Sequence, residues 1–202
     1  IYKKAEIQST YVGNPLLDEY SENMPKTLLR SDHLSSNDKN SIIIGLLPGS
    51  RKAEIKNLFD VMIKAANLIH QNNKKINFII SKASSIKKKA LDTEFKKNRP
   101  NFIFQITEGP VKDIFLKSNL VIAASGTVTL EAALCCVPTI IIYKMSAVSY
   151  WMAKLFVKVK YVGLANLIVN AEVMPELLQN DATPEKISKK ALYMLDNLFY
   201  FK

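Results

Sequence analysis

The sequence is short of the residues that build disulfide frameworks and metal clusters. Its 202 residues include two cysteines, two histidines and one tryptophan. Cys135 and Cys136 are adjacent, so they cannot staple distant segments, and a reducing compartment is expected. His33 and His70 stand apart with no partner at ligand spacing, which argues against zinc or other metal chemistry. Glycine is scarce too, at six residues. No strand-like run leads into GxGxxG or a Walker A sequence, which argues against a simple dinucleotide dehydrogenase and a P-loop ATPase. No Ser-His-Asp order suggests itself. Long apolar runs are missing: Thr139 to Tyr143, with its neighbours, falls far short of the ~18 residues a membrane span needs. No secretory leader is evident. Internal repeats and low-complexity segments are absent as well.

What is present describes a folded, basic chain. It is 48% hydrophobic and 23% charged, with 28 Lys+Arg against 18 Asp+Glu, a formal net charge of +10. That composition excludes disorder, and the length suits one domain with an appendage. Lys82, Lys87, Lys88, Lys89, Lys96, Lys97 and Arg99 crowd one stretch. Only Phe95 interleaves it, so it reads as a solvated helix face and not as a nucleic-acid surface.

Short apolar runs alternate with stretches of helical period. Ser41–Leu47, Ile76–Ile80, Phe102–Ile106, Leu120–Ala124 and Thr139–Tyr143 read as buried parallel strands. Leu58, Met62, Ala65 and Ile69 recur at steps of three and four, a single apolar stripe that leaves Lys64 and Asn67 toward water. Further helices are expected over Ser84–Lys97, Val111–Lys117, Thr127–Cys135 and Thr183–Leu198, the last opened by Thr183 as N-cap with Pro184 behind it. The cysteine pair then falls mid-helix. This alternation predicts a doubly wound α/β sheet over residues 41–202. Residues 1–40, punctuated by Pro15 and Pro25, read as a connector from a preceding domain. The sequence opens on Ile1 without an initiator Met, so the chain reads as half of a larger protein.

Two turns carry the chemistry. Pro48-Gly49-Ser50-Arg51 follows the first strand and precedes the first long helix, where backbone N–H groups meet an anion. Ser50 is expected to cap that helix and Arg51 to present a bidentate charge to phosphate; an ordinary β–α turn would look the same. Ala124 to Glu131 (ASGTVTLE) repeats the arrangement, with Ser125, Gly126 and Thr127 at a strand end. Glu131 lies one helical turn after Thr127, so its carboxylate is expected to face the same cleft and accept the hydroxyls of a ribose. A plain helix N-terminal acid is the alternative. Two such turns on one sheet point to a nucleotide diphosphate.

In order, Tyr11-Val12-Gly13-Asn14-Pro15-Leu16, LLPGSRKAEI at 46–55, ASGTVTLE at 124–131, Pro138, Tyr143-Lys144, YWMAKLFVKVKYVGLANLI at 150–168 and Pro175-Glu176-Leu177-Leu178-Gln179 resemble the C-terminal half of the lipid-A-disaccharide synthases. These are glycosyltransferases of GT-B architecture, built from two Rossmann-like domains. The resemblance implies transfer of 2,3-diacylglucosamine from UDP-2,3-diacylglucosamine to 2,3-diacylglucosamine 1-phosphate, with no metal or organic cofactor. It further implies that Ser50, Arg51, Ser125, Gly126, Thr127 and Glu131 bind UDP, with Arg51 stabilising the leaving diphosphate. Asn166 enters as a tentative catalytic residue, and Glu176 as either a cleft residue or a loop hydrogen-bonder. Asn14 stands where the family more often shows His, and Ala165 where it shows Pro. The general base and the acceptor-lipid surface are expected in the missing half, so the chain alone should bind UDP without turnover.

Residues 147–162 place Tyr150, Trp151, Leu155, Phe156 and Val159 among Lys154, Lys158 and Lys160. Such a helix suits an anionic membrane surface, and packing against the missing half or a second subunit of a homodimer suits it equally. A cytoplasmic location, peripheral on the inner membrane, follows from the lipid-linked substrate. Other readings stay open: a different enzyme or epimerase using UDP-N-acetylglucosamine, a basic nucleic-acid-binding module, or a membrane-surface adaptor.

Overall fold

Strands buried on both faces need no polar alternation, and the apolar runs of the sequence become such strands. The computed structural model describes residues 8, 10, 12–23, 42–145 and 160–198. Strands β1 (Ile42–Leu47), β2 (Ile76–Ser81), β3 (Phe104–Thr107), β4 (Leu120–Ala124), β5 (Thr139–Tyr143) and β6 (Glu176–Leu178) form one sheet in the order β3-β2-β1-β4-β5-β6. Every neighbouring pair is parallel. The helices are α1 (Pro15–Asn23), α2 (Lys52–Asn72), α3 (Lys88–Asn98), α4 (Val111–Lys117), α5 (Val128–Leu134), α6 (Leu164–Val169) and α7 (Pro184–Asp196), with a 3-10 turn at Gln179–Asp181.

Alternate strand residues serve opposite layers. Ile44, Leu46, Phe78, Ile80, Ile122 and Ile142 pack on α2 and α7. Leu47, Val121, Ala123 and Ile141 pack with Ile114 and Phe115 of α4, Ala132 of α5 and Tyr20 of α1. The predicted stripe of α2 is buried throughout, and Lys64 turns outward to Asp60. Thr183 caps α7 as expected, its Oγ1 accepting from the Lys186 N–H at 3.3 Å, with Pro184 in the first turn. Gly45 lets α4 lie directly on β1. A Cβ there would stand 2.9 Å from both Ile114 Cγ2 and Ser118 Oγ.

Several expectations need correction. Helix α1 was not expected; it lies within the stretch read as a connector, where the buried Tyr20 anchors it. Helix α3 starts at Lys88 instead of Ser84, and β3 at Phe104 instead of Phe102. The cysteines do not lie mid-helix: α5 stops at Leu134, Cys135 caps it, and exposed Cys136 takes a left-handed φ of 51°. Lys82 leaves the solvated basic run, being buried and ion-paired to Glu108 at 3.0 Å.

Candidate functional site

The strand order reverses direction between β1 and β4. Loops leaving their carboxyl ends part to opposite sides of the sheet and open a crevice, the usual ligand position in open α/β folds. The two turns singled out in the sequence stand on either side of it, since β1 and β4 are paired from Ile44↔Leu120 to Leu47↔Ala123.

In the first turn Gly49 adopts φ 102°, and a Cβ there would strike the Glu54 carboxylate. Helix α2 is capped from within. Glu54 Oε2 accepts the backbone N–H of Ser50 at 2.9 Å and of Arg51 at 3.2 Å. Arg51, not Ser50, holds the N-cap position, which corrects the expectation that the Ser50 side chain caps this helix. The missed signal was local: a Glu three residues past the cap is half of a capping box. Arg51 Nη1 reaches Glu54 Oε1 at 3.4 Å while its side chain stays 83% exposed. An exposed pair of that length is worth little, so the guanidinium can turn to a ligand at small cost. Ser85 Oγ donates to Ser50 O at 2.6 Å, tying the β2–α3 loop to the turn.

In the second turn Gly126 and Thr127 are exposed, and a Cβ on Gly126 would meet nothing within 4 Å. That leaves the Gly126 backbone open to close approach by a ligand. Ser125 is engaged elsewhere, its hydroxyl donating to Val162 O at 2.9 Å. Thr129 Oγ1 donates to Gly126 O and accepts from the Leu164 N–H, which pins the turn to α6.

Glu131 Oε2 accepts the phenol of Tyr20 at 2.8 Å. Burial, reinforced by this hydrogen bond, raises the Tyr20 phenol well above its ordinary value. Burial likewise pushes the Cys135 thiol up to about 11. Tyr20 was invisible in the sequence because its partner is 111 residues away.

Asn166 belongs to α6. It is fully buried, donating to Met174 O at 2.7 Å and Glu176 Oε1 at 2.8 Å, and accepting the N–H groups of Val173 and Met174. Its amide is saturated by these partners. Glu176 accepts the N–H groups of Val162 at 2.8 Å and Gly163 at 2.9 Å. Together they hold in place the Val162 carbonyl that receives Ser125. The amphipathic segment with Trp151, Lys154, Phe156 and Lys158 lies outside the described residues, as does His33. His70 is buried, with Nδ1 3.1 Å from Ile76 O.

Sheet order, crevice and paired turns define a Rossmann-like α/β domain of the kind that forms the C-terminal half of GT-B glycosyltransferases. Solved structures share this fold. WaaG, a glycosyltransferase involved in lipopolysaccharide biosynthesis, aligns with TM-score 0.58 and 14% identity over 88% of this chain and 44% of its own. The UDP-GlcNAc 2-epimerase from Neisseria meningitidis, solved bound to UDP-GlcNAc, aligns with TM-score 0.55 and 12% identity over 92% and 45%. The family described as lipid-A-disaccharide synthetase matches residues 1–200, and the chain belongs to it. The lipid-A-disaccharide synthase of Nitrosococcus oceani is 37% identical over 196 residues, 96% of this chain and 49% of that protein. That of Syntrophus aciditrophicus is 33% identical over 201 residues, 96% and 50%. The chain thus spans about half the length of these curated relatives.

Proposed function

We propose that this chain is the donor-binding half of a glycosyltransferase of lipid A biosynthesis. The whole enzyme moves 2,3-diacylglucosamine from UDP-2,3-diacylglucosamine to 2,3-diacylglucosamine 1-phosphate, giving the disaccharide 1-phosphate and UDP. One observation carries the reading: two anion-type turns flank the point where the strand order reverses. UDP spans them. The Arg51 guanidinium, not the turn's N–H groups that Glu54 already takes, and the backbone of Ser125, Gly126 and Thr127 receive the diphosphate, and Glu131 keeps one carboxylate oxygen for the ribose while Tyr20 holds the other.

As the acceptor hydroxyl attacks the anomeric carbon, the bond from that carbon to the diphosphate oxygen breaks. Negative charge then grows on UDP. Arg51, exposed and loosely held, moves onto that charge, and a cation meeting charge that grows only as the bond breaks favours the transition state over the bound substrate. The attacking hydroxyl's proton leaves to a base in the other half of the protein. The lipid acceptor, an anionic inner-membrane surface on the cytoplasmic side and a homodimer belong to that larger assembly.

Calorimetric titration of the 202-residue chain with UDP, with a chelator present, tests the reading. Saturable binding is expected, weakened by about 10- to 100-fold in Arg51→Ala, the cost of one or two charge-assisted hydrogen bonds. A folded chain that ignores UDP, or an Arg51→Ala variant that binds it equally well, would overturn the assignment.

A further inference from the structure

A second cleft, of about 490 Å³, opens at the same carboxyl edge, beyond β5 and β6. It is lined by Lys56, Asn57, Lys144, Met145, Gln179, Asn180 and Thr183. None of these belongs to either nucleotide turn. The lining is polar, holds two ammonium groups and contains no carboxylate.

Neither lysine of the cleft is neutralised by an acid among the described residues, a state they share with most described lysines, such as Lys52 and Lys189. Lys64, Lys82, Lys97 and Lys186 each meet an Asp or Glu. Among the described residues no ion pair joins Lys56 or Lys144 to an acid. Two cations on one concave wall repel each other unless an anion lies between them. The wall is also pre-shaped. Gln179 holds a left-handed φ of 51°, a strained conformation for a side-chain-bearing residue. Its side-chain oxygen accepts the Met145 N–H at 3.4 Å. That contact ties the exit of β5, next to Lys144, to the 3-10 turn at Gln179–Asp181.

From this geometry we infer that the cleft between α2 and the ends of β5 and β6 binds a phosphate monoester, with Lys56 and Lys144 on the phosphate. The chemistry matches on charge, donors and size. A phosphate monoester carries about −1.5 to −2 charges near neutral pH and three acceptor oxygens. Against these the cleft sets two ammonium groups, the side-chain amides of Asn57 and Asn180, and the Thr183 hydroxyl. The volume falls within the range of about 300–1,000 Å³ typical of small-molecule sites, and exceeds what a lone phosphate fills. The cleft has room for a ring or headgroup beside the phosphate.

This inference is independent of the nucleotide reading, and the test keeps them apart. The 202-residue chain is titrated with glucosamine 1-phosphate, with glucosamine as the control that lacks the phosphate, and separately with phosphatidate or phosphatidylcholine vesicles. Each titration is repeated for Lys56→Gln/Lys144→Gln, with UDP run in parallel and thermal melting to establish folding. The expected result is saturable binding of the sugar phosphate that the double substitution weakens by about tenfold or more, while melting is unchanged and any UDP affinity moves by less than about twofold. Binding of phosphatidate vesicles alone, lost in the double variant, also upholds a phosphate site and assigns its source to a lipid headgroup. Sugar phosphate and vesicle binding that the substitutions leave intact, stoichiometric displacement by UDP, or no binding by the folded wild-type chain would each overturn the inference.

Discussion

Asn166 has the environment of a residue that supports a site without touching the ligand. Both amide protons and the carbonyl oxygen are consumed inside the loop it organises. Replacement by Ala leaves buried backbone N–H groups unsatisfied, so Asn166→Ala is expected to cost about 3 kcal/mol, read as a lower urea midpoint. Glu54 differs, since its carboxylate already occupies the N–H groups that an anion would seek. Glu54→Gln is expected to destabilise α2 by about 0.5–1 kcal/mol through the weakened cap, visible as a small drop in melting temperature. The same change removes a negative charge beside the crevice, so UDP should bind no more weakly than before. Weaker UDP binding in this variant would count against a diphosphate at the turn.

Elements differ in how openly the sequence declares them. Strands β1, β4 and β5 were legible because both their faces are buried, which writes them as unbroken apolar runs. Strand β6 was not, being only Glu176–Leu178 and held by pairing to Ile141–Tyr143 rather than by its own pattern. Helices α1 and α6 are too short to register a period, and α1 owes its place to Tyr20 finding Glu131 across the chain. The positions of both site turns could be read, because a Gly-bearing turn between strand and helix is a local feature. The hydrogen-bond partners could not, because Ser125–Val162 and Asn166–Glu176 are set by tertiary packing.

The α1–α5 contact carries a pH signature. Cys135 rises from 9.0 to about 11 on folding, and Tyr20 rises above its ordinary 10.0. Both groups hold their protons more tightly in the folded state, so their contribution is complete below about pH 9 and is lost as pH climbs toward 11. Urea midpoints measured from pH 8 to 11 should fall across that window, and the fall should be shallower in Tyr20→Phe. An equally steep fall in that variant would remove Tyr20 from the account.

At the scale of the whole molecule, the sheet is a stack with little slack. At Gly45 there is no room between β1 and α4 for a side chain, and Gly45→Ala forces Ile114 and Ser118 to move. Such overpacking is expected to cost about 1–3 kcal/mol, seen as a lower denaturation midpoint with an unchanged slope. A neutral result would mean that α4 can slide along the sheet.

The strand order also bears on how the molecule comes together in time. Each half of the sheet winds outward from the middle, so β1 meets β2 early in the sequence while the central pairing joins Ile44 to Leu120. Contacts so far apart along the chain are slow to form, because the intervening segment must be brought to order first. The seam that carries the crevice is therefore expected to close last during refolding. A ligand that bridges the two turns would act as a staple across the final step, slowing the molecule's coming apart more than it hastens its assembly.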